Sequence, residues 1–403
     1  MRMEERWMAQ YALKAPCAQL PDPFIRPDGT RLNRPEEWPA QRAYWKKMLQ
    51  DMLYGTIPPP GNTKGEVVET QAAFGGAALR QTVRITCGPQ GEIALQAKIL
   101  RPNRPGRFPA VIRTAFDRQA PFPDAEKAIA RGYVLAEYSC FDLAPDSGME
   151  NRAITKEEFA ACPLAKAYPG YTWKAIAMWA WGQSRVADFL CTTDYVDAQK
   201  LVTTGCSRAG KVALCAAAND ERFAICAISA SGCGGGGCFR FMGGRMGEGT
   251  GLYESLGDMI RPSKFWFWFL EELGAAYGDQ QGTRALGRED YLPFDLHIAR
   301  ALVAPRPAIT TEALDDIYAN PYGTYVTWRA AEEVYRFLGA GGKNAIHYRE
   351  GGHGFTAQDA GVMLDFFDNI FFENGIAAAY KTVAPGEDPL SPALHFAWRA
   401  PQL

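Results

Sequence analysis

Residues 200–219 read KLVTTGCSRAGKVALCAAAN, and this stretch decides how the rest of the chain is interpreted. The apolar and β-branched run 201–204 is typical of a strand, whereas the alanine-rich run from Lys211 onward is typical of a helix. Between the two runs, Gly205 and Ala209 stand two residues before and two residues after Ser207. Small residues at these positions allow a very sharp turn. The stretch therefore predicts a strand, a tight turn and a helix, with Ser207 at the apex.

The composition is that of an ordinary globular enzyme, with 47% hydrophobic and 22% charged residues in a chain of 403. The 43 Lys and Arg residues and 45 Asp and Glu residues give a net charge of −2, which argues against a nucleic acid or an anionic membrane surface as a partner. No apolar window reaches the ~18 residues of a membrane span. The N-terminus lacks the apolar run of a signal peptide, so we expect a cytoplasmic protein, or a secreted one if the natural N-terminus has been removed.

The ten cysteines are scattered and form no C-x-x-C pair. Metal sites and redox pairs usually show such spacing. We therefore predict reduced, mostly buried cysteines, no metal site, and a protein that requires no metal or organic cofactor.

Strand-like and helical runs alternate beyond residue 105. This alternation predicts βαβ units and a parallel sheet covered on both faces, as in the three-layer αβα sandwich of the α/β-hydrolase fold. We divide the chain into an N-terminal arm (1–34), one catalytic domain (35–375) and an irregular tail (376–403). Residues 243–288 are rich in glycine and aromatic side chains and form a predicted insertion over the carboxyl edge of the sheet.

The individual elements follow from their periodicity. Predicted helices cover 36–53, 125–131, 173–190, 325–338 and 362–371. A hairpin is predicted over 78–100, and further strands over 109–113, 133–138, 224–228, 307–311 and 345–348. Residues 142–171 show no period and are predicted to be a long loop.

A nucleophilic serine needs a base, and four histidines are available. His347 falls inside a predicted strand, His297 begins a helix-like run, and His395 lies in the tail. His353 stands between glycines after the last predicted strand, where α/β-hydrolases carry their base. We predict His353 as the base of Ser207.

The acid that orients the base is expected between Ser207 and His353 in the chain. Glu312, Asp315 and Asp316 all follow the strand over 307–311, and any of them could serve on position alone. Each could instead cap a helix or fix the loop.

The elbow segment 205–211, GCSRAGK, resembles the G-C-S-R-x-G-K motif of the glucuronoyl esterases, carbohydrate esterases that cleave esters between lignin alcohols and glucuronic acid on xylan. Further matching segments follow the family's order: LYGTIP (53–58), WGQSR (181–185), APRP (304–307) and GH (352–353). The similarity covers about residues 35–373. It implies that Arg208 helps to bind the oxyanion and that Lys211 contacts sugar hydroxyls. It also favours Asp316 as the acid, with Asp315 and Glu312 as alternatives.

The chain departs from the family pattern at three places. Ala230 stands where many members carry the acid in an E-S-G-x-G-G segment, so the acid is expected on the later loop, as in some bacterial relatives. The family's sugar-binding glutamate has no clear counterpart, because RPSKFW (261–266) occupies that region. Tyr318 stands in place of the sugar-stacking tryptophan. We predict Lys211, Tyr318, Trp266 and Trp268 as candidate substrate contacts, although aromatic residues in an apolar stretch are more often core residues.

These observations predict a serine esterase with a Ser207, His353 and Asp316 triad. The expected substrate is a uronic-acid ester, foremost a 4-O-methyl-glucuronoyl ester that links xylan to a lignin alcohol. Two alternatives are a carboxylesterase or acetylesterase for another carbohydrate or small ester, and a catalytically weak carbohydrate-binding relative.

Overall fold

The computed structural model describes residues 15–59, 61–116, 121–148, 152–242, 253–260, 265–278, 287–373 and 395–402, together with residues 5, 7, 10 and 11. Nine strands of this described part form one sheet: β1 Lys64–Ala73, β2 Ala78–Cys87, β3 Ile93–Pro102, β4 Phe108–Ala115, β5 Val134–Ser139, β6 Val196–Cys206, β7 Phe223–Ser229, β8 Ala308–Ala313 and β9 Asn344–Arg349. Their order across the sheet is β1-β2-β3-β5-β4-β6-β7-β8-β9. The first four strands in this order pair antiparallel, and the six from β5 to β9 pair parallel.

Helices connect the parallel strands, and in the described part of the chain further helices precede the first strand and follow the last. In chain order they are α1 Trp38–Leu49, α2 Ala125–Ala130, α3 Lys156–Ala160, α4 Pro163–Ala167, α5 Ala175–Leu190, α6 Arg208–Asn219, α7 Leu256–Ile260, α8 Glu271–Tyr277, α9 Leu296–Ala301, α10 Pro321–Phe337 and α11 Ala357–Phe372. A π-helical turn, Gln50–Tyr54, continues α1, and the short 3-10 turns are Pro35–Glu37, Phe74–Gly76, Cys140–Asp142, Glu289–Tyr291 and Ile317–Ala319.

The parallel strands are buried on both faces, and alternate residues face opposite helical layers. Ala110 and Ile112 of β4 belong to the hydrophobic core that includes α5, α6 and α9. Val111, between them, belongs to a second core that includes residues of α2 and α11. The predicted three-layer αβα sandwich is therefore confirmed, and it places the loops after β6, β8 and β9 at one edge of the sheet.

Most predicted elements are present, and two differ. Strand β1 was not predicted, because nearly all of its side chains are exposed and it therefore lacks the apolar alternation that identifies a strand. The loop predicted over 142–171 contains the short helices α3 and α4. Both helices are too short for apolar residues to recur with the helical period in the sequence.

The two ends of the chain pack together on the domain. Phe24 and Leu32 of the N-terminal arm are buried. Phe396 is buried as well, and the indole nitrogen of Trp398 donates a hydrogen bond to the carbonyl oxygen of Leu20 at 2.8 Å. The described end of the chain, 395–402, is irregular as predicted, but it is a packed segment of the domain rather than a loose tail.

Part of the predicted insertion, residues 243–252, 261–264 and 279–286, lies outside the described residues. Its aromatic segment 265–270 is anchored at both ends. Phe267 accepts a backbone hydrogen bond from Ala175 at the start of α5, and Leu270 donates one to Leu53. Across the described ranges, the structure contains no helix that is both long and apolar enough to span a membrane.

Candidate active site

Ser207 occupies a strained turn between β6 and α6, as the sequence predicts. Its backbone has φ +59° and ψ −131°, a conformation that is costly for a residue with a side chain and that clusters at functional sites. The backbone segments on the two sides of the turn approach each other so closely that a Cβ atom on Gly205 would lie 2.3 Å from the carbonyl oxygen of Ala209. The small residues flanking Ser207 are therefore required by the backbone itself.

Gly205→Ala is expected to lower the free energy of unfolding by at least about 3 kcal/mol, because the added methyl group collides with backbone atoms that cannot move aside. Urea denaturation of the purified variant measures the effect. Gly361→Ala on α11 is the matched control: the same methyl group meets no atom within 4 Å, and the variant should be more stable by up to about 1 kcal/mol. A Gly205→Ala protein as stable as the wild type would contradict the elbow geometry.

His353 and Asp316 meet at the same edge of the sheet. The His353 Nδ1 atom lies 2.6 Å from Asp316 Oδ2, so one ring nitrogen faces the carboxylate and Nε2 remains for the nucleophile. The Asp316 side chain is 5% exposed and that of His353 is 51% exposed. A buried carboxylate and an accessible imidazole are the arrangement that a histidine base requires.

Ion pairs and hydrogen bonds fix the loop that carries His353. Arg349, the last residue of β9, donates to the carbonyl oxygen of Gly354 at 2.8 Å and pairs with Asp359 at 2.8 Å. Asp359 in turn forms a capping box with Thr356 at the start of α11. The loop is thereby held at both ends, and the imidazole position is determined by the scaffold.

The structure distinguishes between the three candidate acids. Asp315 is exposed, and its carboxylate accepts a hydrogen bond from the backbone nitrogen of Gly351 at 3.0 Å, so it ties the loop after β8 to the histidine loop. Glu312 is buried, and burial together with the nearby Asp316 raises the pKa of its carboxyl well above the usual range. A carboxyl with a raised pKa is less suited than an ordinary carboxylate to stabilising an imidazolium. Asp316 alone of the three is hydrogen-bonded to His353 in the described part of the chain.

The other histidines have structural positions. His297 is fully buried on α9 with Nε2 at 2.8 Å from the carbonyl oxygen of Pro21, and burial lowers its pKa to about 4. His395 is buried beside Tyr322, whose hydroxyl lies 2.8 Å from its Nε2 atom. His347 lies within β9 as predicted. None of these rings lies on the loop that carries the base.

Arg208 is the first residue of α6, immediately after Ser207. The backbone N–H groups of the first helical turn have no carbonyl partner within the helix, and the helix dipole gives that end a partial positive charge. The Arg208 guanidinium pairs with Asp146 at 2.7 Å. Backbone donors and a cationic side chain thus belong to the residues that immediately follow Ser207, which are the groups that an oxyanion site uses.

Lys211 lies one turn further along α6 and is buried. Its ammonium group donates to the carbonyl oxygens of Ser231 and Cys233 at 2.7 and 2.5 Å and to Glu254 at 2.6 Å. An ammonium group has three donors, so all of them are in use. Lys211 is thus half of a buried ion pair with Glu254 in this structure, and its predicted contact with sugar hydroxyls stays a prediction.

Glu254 was not identified from the sequence. We found no counterpart of the sugar-binding glutamate around 261–266, yet Glu254 lies in the same insertion and reaches Lys211 from 43 positions away. Its backbone nitrogen also donates to the carbonyl oxygen of Tyr318 at 3.0 Å. No local pattern indicated this residue, because its environment is created entirely by contacts that are distant in the chain.

The predicted aromatic contacts divide into two groups. Tyr318 is 37% exposed and lies two residues after Asp316, and its predicted contact with the substrate stays a prediction. Trp266 and Trp268 are buried, at 5% and 2% exposure, and the Trp266 indole donates to the carbonyl oxygen of Ile154 at 2.8 Å. The two tryptophans are therefore better described as core residues than as substrate contacts.

The family is identified by comparison with known proteins. The family model described as "Glucuronyl esterase, fungi" matches residues 85–339, which is more than half of the chain. The chain belongs to the glucuronoyl esterase family. This membership makes it a carboxylic-ester hydrolase with the α/β-hydrolase fold.

Named relatives of this glucuronoyl esterase come from a prokaryote and from fungi. Carbohydrate esterase MZ0003 from an unknown prokaryotic organism is 28% identical and aligns over 88% of this chain and 90% of its own. The 4-O-methyl-glucuronoyl methylesterase of Cerrena unicolor is also 28% identical and aligns over 88% of this chain and 69% of its own.

Solved structures of similar proteins support the same assignment. A promiscuous CE15 esterase from a marine bacterial metagenome superposes with a TM-score of 0.71 at 27% identity, over 88% of this chain and 98% of that one. The CE15 glucuronoyl esterase of Caldicellulosiruptor kristjansonii gives a TM-score of 0.70 at 26% identity, over 93% of this chain and 97% of that one.

The location of the acid follows from the strand order. β8 lies between β7 and β9 in the sheet. The loop after β8, which carries Asp316, is therefore adjacent to the loop after β9, which carries His353. After β7, Ala230 carries no acidic side chain and has φ +40°.

Proposed function

We propose that this chain hydrolyses esters of a uronic acid, foremost 4-O-methyl-glucuronoyl esters of the kind that link xylan to lignin alcohols. The observation that carries the proposal is the buried Asp316 held 2.6 Å from His353 at the edge of the sheet where the strained Ser207 turn ends. Membership of the glucuronoyl esterase family supports the uronic acid as the acyl group.

In the proposed reaction, His353 removes the proton of the Ser207 hydroxyl as its oxygen attacks the ester carbonyl. Asp316 holds the imidazole in the required tautomer and stabilises the imidazolium. The backbone N–H groups at the start of α6 and the Arg208 guanidinium stabilise the oxyanion, and removal of one such donor typically costs about 3 kcal/mol of barrier. His353 then protonates the departing alcohol, and water hydrolyses the uronoyl-serine ester by the same steps in reverse.

A panel of esters tests the proposal. We expect turnover of benzyl and methyl glucuronate with kcat/KM well above the values for p-nitrophenyl acetate and acetylated xylan. A preference for benzyl over methyl glucuronate would indicate that the alcohol portion is also recognised. Equal or greater activity on the acetyl esters would contradict the uronic acid as the preferred acyl group.

A second candidate function is that of a broader carboxylesterase. It is favoured by the buried ion pair of Lys211 and Glu254, which leaves no donor of the ammonium group for a sugar hydroxyl. In the same panel such an enzyme would hydrolyse several acyl groups with similar kcat/KM. Binding of uronic oligosaccharides without turnover of any ester would instead indicate a carbohydrate-binding relative.

A further inference from the structure

The guanidinium of Arg208 is held by residues far from it in the chain. Asp146, 62 positions earlier, accepts a hydrogen bond from Arg208 Nη1 at 2.7 Å. The rings of Phe116, Phe265 and Trp268 surround the same guanidinium, with centroids 5.9, 5.7 and 5.1 Å from its central carbon. An arginine side chain has several rotatable bonds, so this enclosure restricts a group that would otherwise sample many positions.

We propose that Asp146 is a positioning residue of the esterase, which holds the Arg208 guanidinium where the oxyanion forms. The proposal rests on the proposed function, because Arg208 matters in this way only if an acyl group is transferred to Ser207. Asp146 acts through Arg208 and needs no contact with the substrate.

Asp146 is itself rigidly placed. It is 1% exposed, and the same oxygen that binds Arg208 accepts a hydrogen bond from the backbone nitrogen of Gly148 at 3.1 Å. Two residues earlier, the carbonyl oxygen of Ala144 accepts a hydrogen bond from the indole of Trp179 on α5 at 3.2 Å. The carboxylate is therefore connected to a helix that packs against the sheet.

The chemistry of the pair suits an oxyanion site. A guanidinium has five N–H donors in a fixed plane, so a hydrogen bond to Asp146 on one nitrogen leaves others directed elsewhere. Electrostatic stabilisation of a transition state depends on donors that are already oriented before charge develops. Trp268, predicted as a sugar contact, belongs to this support: Arg208 lies on its ring, and the Lys211 ammonium is 5.6 Å from the same ring centroid.

A double-mutant cycle tests the proposal. With benzyl glucuronate, Asp146→Asn is expected to lower kcat by about tenfold or more and to leave KM nearly unchanged. A misplaced guanidinium no longer stabilises the transition state, whereas substrate binding does not depend on it. Arg208→Ala should lower kcat further. In the Arg208→Ala protein, Asp146→Asn should have little additional effect on kcat, since the group that it positions is already gone.

A second buried acid provides the matched control. Asp368 pairs with Arg131 at 3.0 Å and accepts a hydrogen bond from the Tyr133 hydroxyl at 2.6 Å, at the amino ends of the strands, away from Ser207. Asp368→Asn is expected to lower the melting temperature without changing kcat. This control separates loss of stability from loss of positioning.

The outcomes are distinguishable. If Ser207→Ala abolishes turnover and Asp146→Asn keeps wild-type kcat, the proposed function stands and the positioning role is overturned. Additive losses in the double variant would also overturn it, because they would indicate that Asp146 acts independently of Arg208. If the wild type hydrolyses no uronate ester, the proposed function fails, and the same cycle measured with p-nitrophenyl acetate still reports whether Asp146 acts through Arg208.

Discussion

Ser207→Ala is expected to lower kcat for benzyl glucuronate by a factor on the order of 10⁴ to 10⁶, the loss that follows removal of the nucleophile from a serine hydrolase. Without the hydroxyl no acyl-enzyme forms, and His353 has no serine proton to accept. Residual hydrolysis would come from substrate binding and oxyanion stabilisation alone. Steady-state rates with benzyl glucuronate, measured at equal concentrations of folded protein, give the result.

Ser139→Ala is the matched control for that substitution. Ser139 ends β5 at the same edge of the sheet, and its hydroxyl accepts a hydrogen bond from the backbone nitrogen of Phe141 at 3.3 Å. The same loss of one hydroxyl should cost at most about 1 kcal/mol of stability and leave kcat within a few-fold of the wild type. Turnover by Ser207→Ala within tenfold of the wild type would exclude the serine mechanism.

The parts of the site that sequence could predict are those with a local cause. Gly205 and Ala209 are small because the backbone approaches itself across four residues, and this requirement is visible in the sequence around Ser207. The histidine loop follows an apolar strand and contains glycines, which is again a local pattern. The order of the elements then brings the two loops to one edge of the sheet.

The parts that sequence could not predict depend on contacts between distant residues. Asp146 reaches Arg208 across 62 positions and Glu254 reaches Lys211 across 43, and neither acid has a distinctive neighbourhood in the chain. Burial of Trp266 and Trp268 likewise depends on how the insertion packs on the body of the domain. The periodicity of apolar residues cannot predict such packing, because it shows only which face of a helix or strand is buried.

The choice of acid could be predicted from the sequence only in part. Position alone allowed Glu312, Asp315 and Asp316, and the family resemblance favoured the last. The physical reason is visible in the fold: Glu312 is buried and burial raises its pKa, Asp315 faces solvent, and Asp316 alone of the three is both buried and beside His353. Glu312 lies within β8, whereas Asp315 and Asp316 lie in the turn and loop that follow it, and this difference of environment is not visible in the sequence.

Asp316→Asn is accordingly expected to lower kcat by a factor on the order of 10³ to 10⁴ with little change in the fold. The asparagine amide is the same size as the carboxylate, but it can present an N–H group to His353 Nδ1, and this favours the imidazole tautomer that cannot accept the serine proton. It also removes the charge that stabilises the imidazolium. Rates with benzyl glucuronate across the neutral pH range measure the loss.

Two neighbouring substitutions make this prediction specific to Asp316. Glu312→Gln replaces a buried carboxyl, whose pKa is raised by burial and by the nearby Asp316, with a neutral amide of the same shape, so kcat should stay within about tenfold of the wild type. Asp315→Asn weakens a hydrogen bond to Gly351 that holds the histidine loop, and we expect a smaller decrease in kcat than for Asp316→Asn. Near-normal turnover by Asp316→Asn, together with a large loss in either neighbour, would assign the acid to that neighbour, because only the residue that orients His353 controls its tautomer.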